Sequence, residues 1–225
     1  MINVAIDGPA GAGKSTIARR AAEKLGYIYV DTGALYRAVG LKFSKTGADI
    51  SSDEEIERVL SETAVDIRFS GGEQHVFLDG EDVSGLIRTP EASMTASAVS
   101  AKPAVRAFLL EMQRRLAYEN NVIMDGRDIG TVVLPNADVK IFLTASVKVR
   151  AERRFRELTE KGESVSLEEV CADIEKRDYN DTHRAAAPLK RAEGACLADT
   201  SELSLDESVA LVIKIISEGI KKSRQ

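Results

Sequence analysis

One stretch at the start of the chain narrows the possible folds at once. Ile2-Asn3-Val4-Ala5-Ile6 is apolar except at Asn3 and reads as a short buried strand. After Asp7, the run Gly8-Pro9-Ala10-Gly11-Ala12-Gly13-Lys14-Ser15 has the P-loop spacing, two glycines five apart followed by Lys-Ser. Glycine reaches backbone angles closed to other residues, so successive N–H groups can turn inward around phosphate oxygens. Lys14 is placed to reach the β- and γ-phosphates, and the Ser15 hydroxyl to hold Mg²⁺. From Thr16 the sequence turns helical through Ile17, Ala18, Ala21, Ala22 and Leu25, which sets a helix N-terminus against the anion. Strand, phosphate loop and helix in this order point to a bound nucleoside triphosphate.

The pattern continues as strand and helix in alternation. Tyr27-Ile28-Tyr29-Val30 is β-rich and closes at Asp31-Thr32-Gly33, and a helix begins near Ala34. Alternation from the first residue onward predicts a parallel sheet with helices on both faces. Ser52 caps a helix over 53–62, with acids in its first turn. The period then changes: Val65, Ile67 and Phe69 alternate with polar residues, Gly71-Gly72 turns, and an extended run resumes from His75 to Leu78. With a third short strand near Asp82-Val83, residues 64–88 form an antiparallel insert in an otherwise doubly wound chain. Helices follow over 90–100 and from Pro103 to about Tyr118. Val122-Ile123-Met124 is the next buried strand, and 139–143 another. Helices over 147–160, from Ser166 to about Thr182, and over 206–221 surround a last short strand at Ala195-Cys196-Leu197-Ala198.

Charge limits the partners. The 225 residues carry a net charge of −5, which argues against general nucleic-acid binding, so an anionic ligand must be held by local arginine clusters. Two cysteines, Cys171 and Cys196, make no disulfide framework or zinc site and fit a reducing compartment. The first residues show no basic-then-apolar leader, and no apolar run approaches 18 residues. A cytoplasmic monomer with no membrane partner is expected.

Three groups of side chains could carry chemistry. Arg127 and Asp128 lie just past the carboxyl end of a core strand, where open α/β sheets bind ligands. Arg177, Asp181 and Arg184, spaced i, i+4 and i+7, fall within about 60° of one another on one helical stripe. Arginine forks match phosphate oxygens, and an interposed carboxylate can orient them or accept from sugar hydroxyls. Arg150, Arg153 and Arg154 form a second cluster whose mutual repulsion needs an anion, with Glu152 and Glu157 as local alternatives. No Asn-Lys-x-Asp guanine-specificity run occurs, which leaves a small kinase with a compact acceptor.

The P-loop run, together with Asp31-Thr32-Gly33-Ala34-Leu35-Tyr36-Arg37, Asp125-Gly126-Arg127-Asp128-Ile129-Gly130-Thr131 and the segment from Arg177 to Leu189, resembles the bacterial cytidylate kinases along essentially the whole chain. The 64–88 insert fits the long bacterial form, which carries a small sheet in its monophosphate-binding region. The resemblance implies one P-loop kinase domain over 1–225 with a five-stranded parallel sheet, a monophosphate-binding region over 32–101 and a mobile lid over 150–165. It implies phosphoryl transfer from ATP, with Mg²⁺, to CMP or dCMP in pyrimidine nucleotide metabolism. By matched position Arg37, Arg127 and Arg184 hold the CMP phosphate, with Thr32 and Tyr36 near it. Ser97, Arg106 and Asp128 read the cytosine edge, Arg177 and Asp181 meet the sugar, and Arg150, Arg153 and Arg154 belong to the lid over ATP. Gly8 to Thr16 form the ATP site, and Lys14, Arg127, Asp128 and Arg184 the catalytic set. A related kinase preferring UMP or AMP, and a nucleotide-dependent regulatory or RNA-binding module, are the competing readings.

Overall fold

The structure, a computed structural model, describes residues 1–160 and 162–223. Lys161, inside the stretch expected to form the lid, lies outside the described residues, as do Arg224 and Gln225. The first half of the chain runs β1 (Asn3–Asp7), α1 (Lys14–Leu25), β2 (Ile28–Asp31), α2 (Thr32–Thr46), α3 (Asp53–Ser61), β3 (Val65–Ser70), β4 (Glu73–Leu78), β5 (Glu81–Asp82), α4 (Pro90–Ser100) and α5 (Pro103–Glu119). The second half runs β6 (Val122–Gly126), a single π-helical turn (Ile129–Val133), β7 (Val139–Thr144), α6 (Val147–Glu160), α7 (Leu167–His183), β8 (Cys196–Asp199) and α8 (Leu205–Ser223).

Five strands form a parallel sheet in the order β2-β6-β1-β7-β8. β1 is central because its residues are buried on both faces, and alternation sends them to different cores. Val4 and Ile6 pack with Ile17, Ala18 and Ala21 of α1 and with Val209, Val212 and Ile216 of α8. Ala5 faces the opposite core with Leu35 and Val39 of α2 and Val105 and Leu109 of α5. The chain order reverses at β1, whose neighbours β6 and β7 lead away in opposite directions. Loops leaving the carboxyl ends of β1, β2 and β6 therefore meet at one crevice, the usual ligand position for such sheets.

The antiparallel β3-β4-β5 sheet confirms the change of period seen in the sequence. Its apolar face is continuous with the main core: Ile67, Val76, Leu78, Val83 and Ile87 bury against the cluster holding Phe43, Ile56 and Val59. Burial of one such aliphatic side chain contributes about 1.5–3 kcal/mol. Caps fix the helix starts. Ser52 accepts from the Glu55 N–H, and Ser166 and Glu169 form a reciprocal capping box.

Three local expectations shift. α1 begins at Lys14 rather than Thr16, since Gly13 takes the left-handed cap conformation at φ 82°. α7 ends at His183, so Arg184 sits at its cap with extended angles, off the helical stripe that spacing assigned it. The π-helical turn over Ile129–Val133 has no signature in the sequence reading. Among the described residues no helix is long and apolar enough to cross a membrane, and both cysteines are free thiols.

Candidate active site

The phosphate loop lies between β1 and α1. Gly8 lies so close to the end of β7 that a Cβ there would meet the Leu143 carbonyl oxygen at 1.9 Å, so the first P-loop position admits no side chain. Two distant residues brace the loop at Ala10. The Ala10 N–H donates to Asp178 on α7 at 3.1 Å, and the Ala10 carbonyl accepts from Arg150 on α6 at 2.8 Å. Arg150 and Asp178 are themselves paired at 2.6 Å. Lys14 is buried and its ammonium donates to the Pro9 carbonyl at 2.8 Å. Burial, then repulsion from Arg127, brings its pKa down to about 7.

Asp7, the residue before the loop, was missed by sequence reasoning. Its carboxylate accepts from the Ile129 N–H at 2.7 Å and the Gly130 N–H at 2.8 Å, which holds the π-helical turn against the P-loop. Burial nevertheless pushes its pKa up to about 6. Asp125 on β6 was also missed as a site residue. It accepts from the Ser15 hydroxyl at 2.8 Å and the Tyr29 hydroxyl at 3.2 Å, while its carbonyl accepts from Thr32 at 2.7 Å. Burial and the neighbouring charge of Asp31 raise the Asp125 pKa to about 6. An acid at the end of the strand beside β1 was the available signal.

A second cluster gathers arginines from α2, α5, α7 and the segments after β6 and α7. From α2 comes Arg37, paired with Asp31 at 2.8 Å, and its Nε is buried without a partner among the described residues. Tyr36 from the same helix lies under the Arg106 guanidinium of α5, 5.6 Å from ring centroid to Cζ. Asp128, after β6, is 4% exposed and bridges Arg106 to Arg184, the latter at 3.4 Å. Arg184 also donates to the Ala187 carbonyl at 2.8 Å and the Ser100 hydroxyl at 3.4 Å. Ser100 is thus drawn into the cluster, one helical turn beyond Ser97, whose carbonyl it caps at 3.0 Å. Arg127 pairs with Asp181 of α7 at 2.6 Å, and that attraction outweighs burial and keeps its charge. Arg177 makes no hydrogen bond or ion pair with a described residue, and burial followed by repulsion from Arg127 lowers its pKa.

Of the three arginines expected in the lid, Arg150 is turned inward to Ala10. Arg153 donates to the Thr200 carbonyl at 2.7 Å, and Arg154 pairs with Glu157 at 2.9 Å. Arg154 stands near enough to Arg177 to repel it.

The sheet order, the phosphate loop at its switch point and the helices on both faces define a P-loop kinase fold. A gluconokinase from Sinorhizobium meliloti has the same fold, with a TM-score of 0.50 at 15% identity over 98% of this chain and 94% of that one. The family model described as cytidylate kinase matches residues 4–218. A cytidylate kinase of Caldicellulosiruptor bescii is 51% identical over 220 residues, covering 98% of this chain and 97% of that protein. One from Lactobacillus johnsonii is 49% identical over 221 residues, covering 98% and 96%. The chain belongs to the cytidylate kinase family.

Proposed function

We propose that the protein transfers the terminal phosphoryl group of ATP to the phosphate of CMP or dCMP. The observation that carries the acceptor assignment is charge. Five guanidinium groups (Arg37, Arg106, Arg127, Arg177 and Arg184) meet three carboxylates (Asp31, Asp128 and Asp181), an excess of two positive charges. The spare donors are Arg177 and the buried Arg37 Nε. A phosphate monoester near pH 7 carries about −1.5 to −2 and three acceptor oxygens, which matches that excess.

The Arg106–Asp128 pair beside Tyr36 suits cytosine. Asp128 can accept from the exocyclic amino group while Arg106 donates to the ring acceptors. Uracil offers an oxygen where cytosine offers that amino group, and Asp128 would then face an acceptor. Arg177 and Asp181 in this reading meet the ribose or deoxyribose. In this reading residues 32–101 form the acceptor-binding region and 150–165 the lid, with Arg154 the lid arginine turned toward the site.

Ser15 and Asp125 are hard oxygen donors in mutual contact at the strand ends, and this set fits Mg²⁺, which takes few protein ligands and completes its shell with phosphates and water. Bound there, the ion would neutralise charge on the ATP phosphates. The acceptor phosphate is already anionic, so no general base is required, and catalysis rests on alignment and charge. Lys14 leaves Pro9 for the phosphates, the loop amides follow the β-phosphate, and Arg127 stands between the donor and acceptor groups. Closure of the lid excludes water, which would otherwise take the phosphoryl group.

ATP consumption measured with CMP, dCMP, UMP, AMP and dTMP in turn tests the assignment. A clear preference for CMP and dCMP is expected, and preference for any other acceptor overturns it.

A further inference from the structure

The insert touches the acceptor site through one side-chain amide. β2 is the edge strand of the parallel sheet, and the Asp31 peptide groups turned away from β6 have no neighbouring strand there. Gln74, the second residue of β4, takes that place. The Asp31 N–H donates to Gln74 Oε1 at 2.8 Å, and Gln74 Nε2 donates to the Asp31 carbonyl at 3.2 Å. A primary amide presents a donor and an acceptor side by side, as a peptide unit does, so Gln74 acts as a strand partner one residue long. Its own backbone is fixed in the β3–β4 ladder opposite Phe69. The hairpin is in turn fixed by Val76 and Leu78 in the core.

Asp31 is the residue whose side chain decides where Arg37 points. Its Oδ1 caps α2 by accepting from the Ala34 N–H at 3.0 Å, and its Oδ2 holds Arg37 at 2.8 Å. A rigid chain of contacts runs from the β4 backbone through the Gln74 amide and the Asp31 peptide to the Arg37 fork. At its end is the buried Arg37 Nε without a partner, which an anion's oxygen can satisfy.

We propose that Gln74 is a positioning residue for the acceptor phosphate, and that through it the insert sets acceptor affinity by way of Asp31 and Arg37. The inference rests on the reading that Arg37 holds the phosphate of the acceptor. It assigns the antiparallel insert a role in binding, beyond the addition of apolar surface to the core.

The test is a double-mutant cycle in the full-length protein, with Gln74→Ala, Arg37→Ala and the two combined, assayed with CMP and ATP as varied substrates. Two lost hydrogen bonds to a group that orients a charged fork predict about a tenfold rise in KM for CMP in Gln74→Ala. KM for ATP stays within about twofold, since the donor loop is held by other contacts. In the Arg37→Ala background, Gln74→Ala adds no further rise. Gln74→Glu keeps the acceptor for the Asp31 N–H, loses the donor, and gives an intermediate KM. An unchanged KM for CMP in Gln74→Ala overturns the inference. So does an equal rise in both backgrounds, which would mean that the amide acts only on the stability of the hairpin. Wild-type protein that does not turn over CMP refutes the acceptor assignment itself, a result distinct from either.

Discussion

In the proposed function the donor and acceptor halves of the site solve the same problem, holding phosphate, by opposite means. The donor half is one contiguous loop that offers backbone N–H groups and a single lysine, braced at Ala10 by Asp178 and Arg150 from two distant helices. The acceptor half has arginines from α2, α5, α7 and the segments after β6 and α7, and all but Arg177 already hold a carboxylate. Backbone groups cannot be removed by mutation and carry no net charge, so the loop suits a ligand bound with its own cation. Guanidiniums already paired with carboxylates are held as fixed, directional donors, so that cluster suits a ligand that must be distinguished by shape and hydrogen bonding.

The comparison predicts that the two halves fail differently. Lys14→Ala should produce the largest effect, a fall in kcat on the order of 10²–10³-fold, because it removes the charge that meets the transferring group. The melting temperature should hold or rise, since the desolvation of a buried cation, which outweighs the attraction of Asp125, Asp181 and Asp7, is removed with it. Near-normal kcat in this variant breaks the assignment of the donor half. Asp128→Ala should act on the other half. It removes the carboxylate proposed to accept from the cytosine amino group and to hold Arg106 and Arg184 in place, a charge-assisted contact worth about 2–3 kcal/mol when its partner is left unpaired. KM for CMP should therefore rise about 30- to 150-fold. KM for ATP should move less than about twofold, and parallel shifts in both would erase the distinction between the halves.

What the sequence made legible follows the same division. Contacts within a few residues, such as the P-loop, the helix caps at Ser52 and Ser166 and the strand alternation, are encoded by spacing and need no knowledge of the fold. The acceptor half depends on pairs far apart in the chain. Arg106 meets Asp128, Arg127 meets Asp181, and Gln74 meets Asp31, and no local periodicity brings those residues together. Arg184 shows how a spacing rule can name the right residue for the wrong reason. The i+7 stripe ends one residue too soon, and Arg184 reaches Asp128 because the chain leaves the helix there. The π-helical turn over Ile129–Val133 was unreadable for a related reason. Its composition is β-like, and the Asp7 carboxylate that captures two of its N–H groups lies more than a hundred residues upstream.

Asp7 joins the halves, and its titration offers a way to measure that joint. A carboxyl with a folded pKa of about 6 against an ordinary 3.8 binds more protons in the native state between those values. Its contribution to stability is therefore fully present below about pH 4 and is lost as pH rises toward 6. Asp7→Asn does not titrate, although its amide can accept from only one of the two N–H groups. Urea unfolding at pH 5 and pH 7.5 should show wild type losing about 1.4 kcal/mol relative to Asp7→Asn across that interval. A pH-independent difference would mean that the two backbone N–H groups fully offset burial of the charge.

The smallest expected effect concerns the arginines of α6, which sequence grouped together as a lid and the structure separates. Arg153 donates to the Thr200 carbonyl at 2.7 Å and the Thr200 hydroxyl at 3.2 Å, so its fork ties α6 to the segment after β8. Among the described residues Arg154 pairs with its helical neighbour Glu157 at 2.9 Å, a partly exposed i,i+3 pair of a kind worth a few tenths of a kcal/mol. Arg153→Ala should therefore lower stability by about 1–2 kcal/mol in urea unfolding, with KM for ATP within about twofold. Arg154→Ala should leave stability nearly unchanged and raise KM for ATP a few-fold, because its charge is free to turn toward the phosphates. If Arg153→Ala instead raises KM for ATP more than Arg154→Ala does, the fork must leave Thr200 when ATP binds. The donor half would then recruit paired arginines just as the acceptor half does, and the contrast between them would hold only before the lid closes.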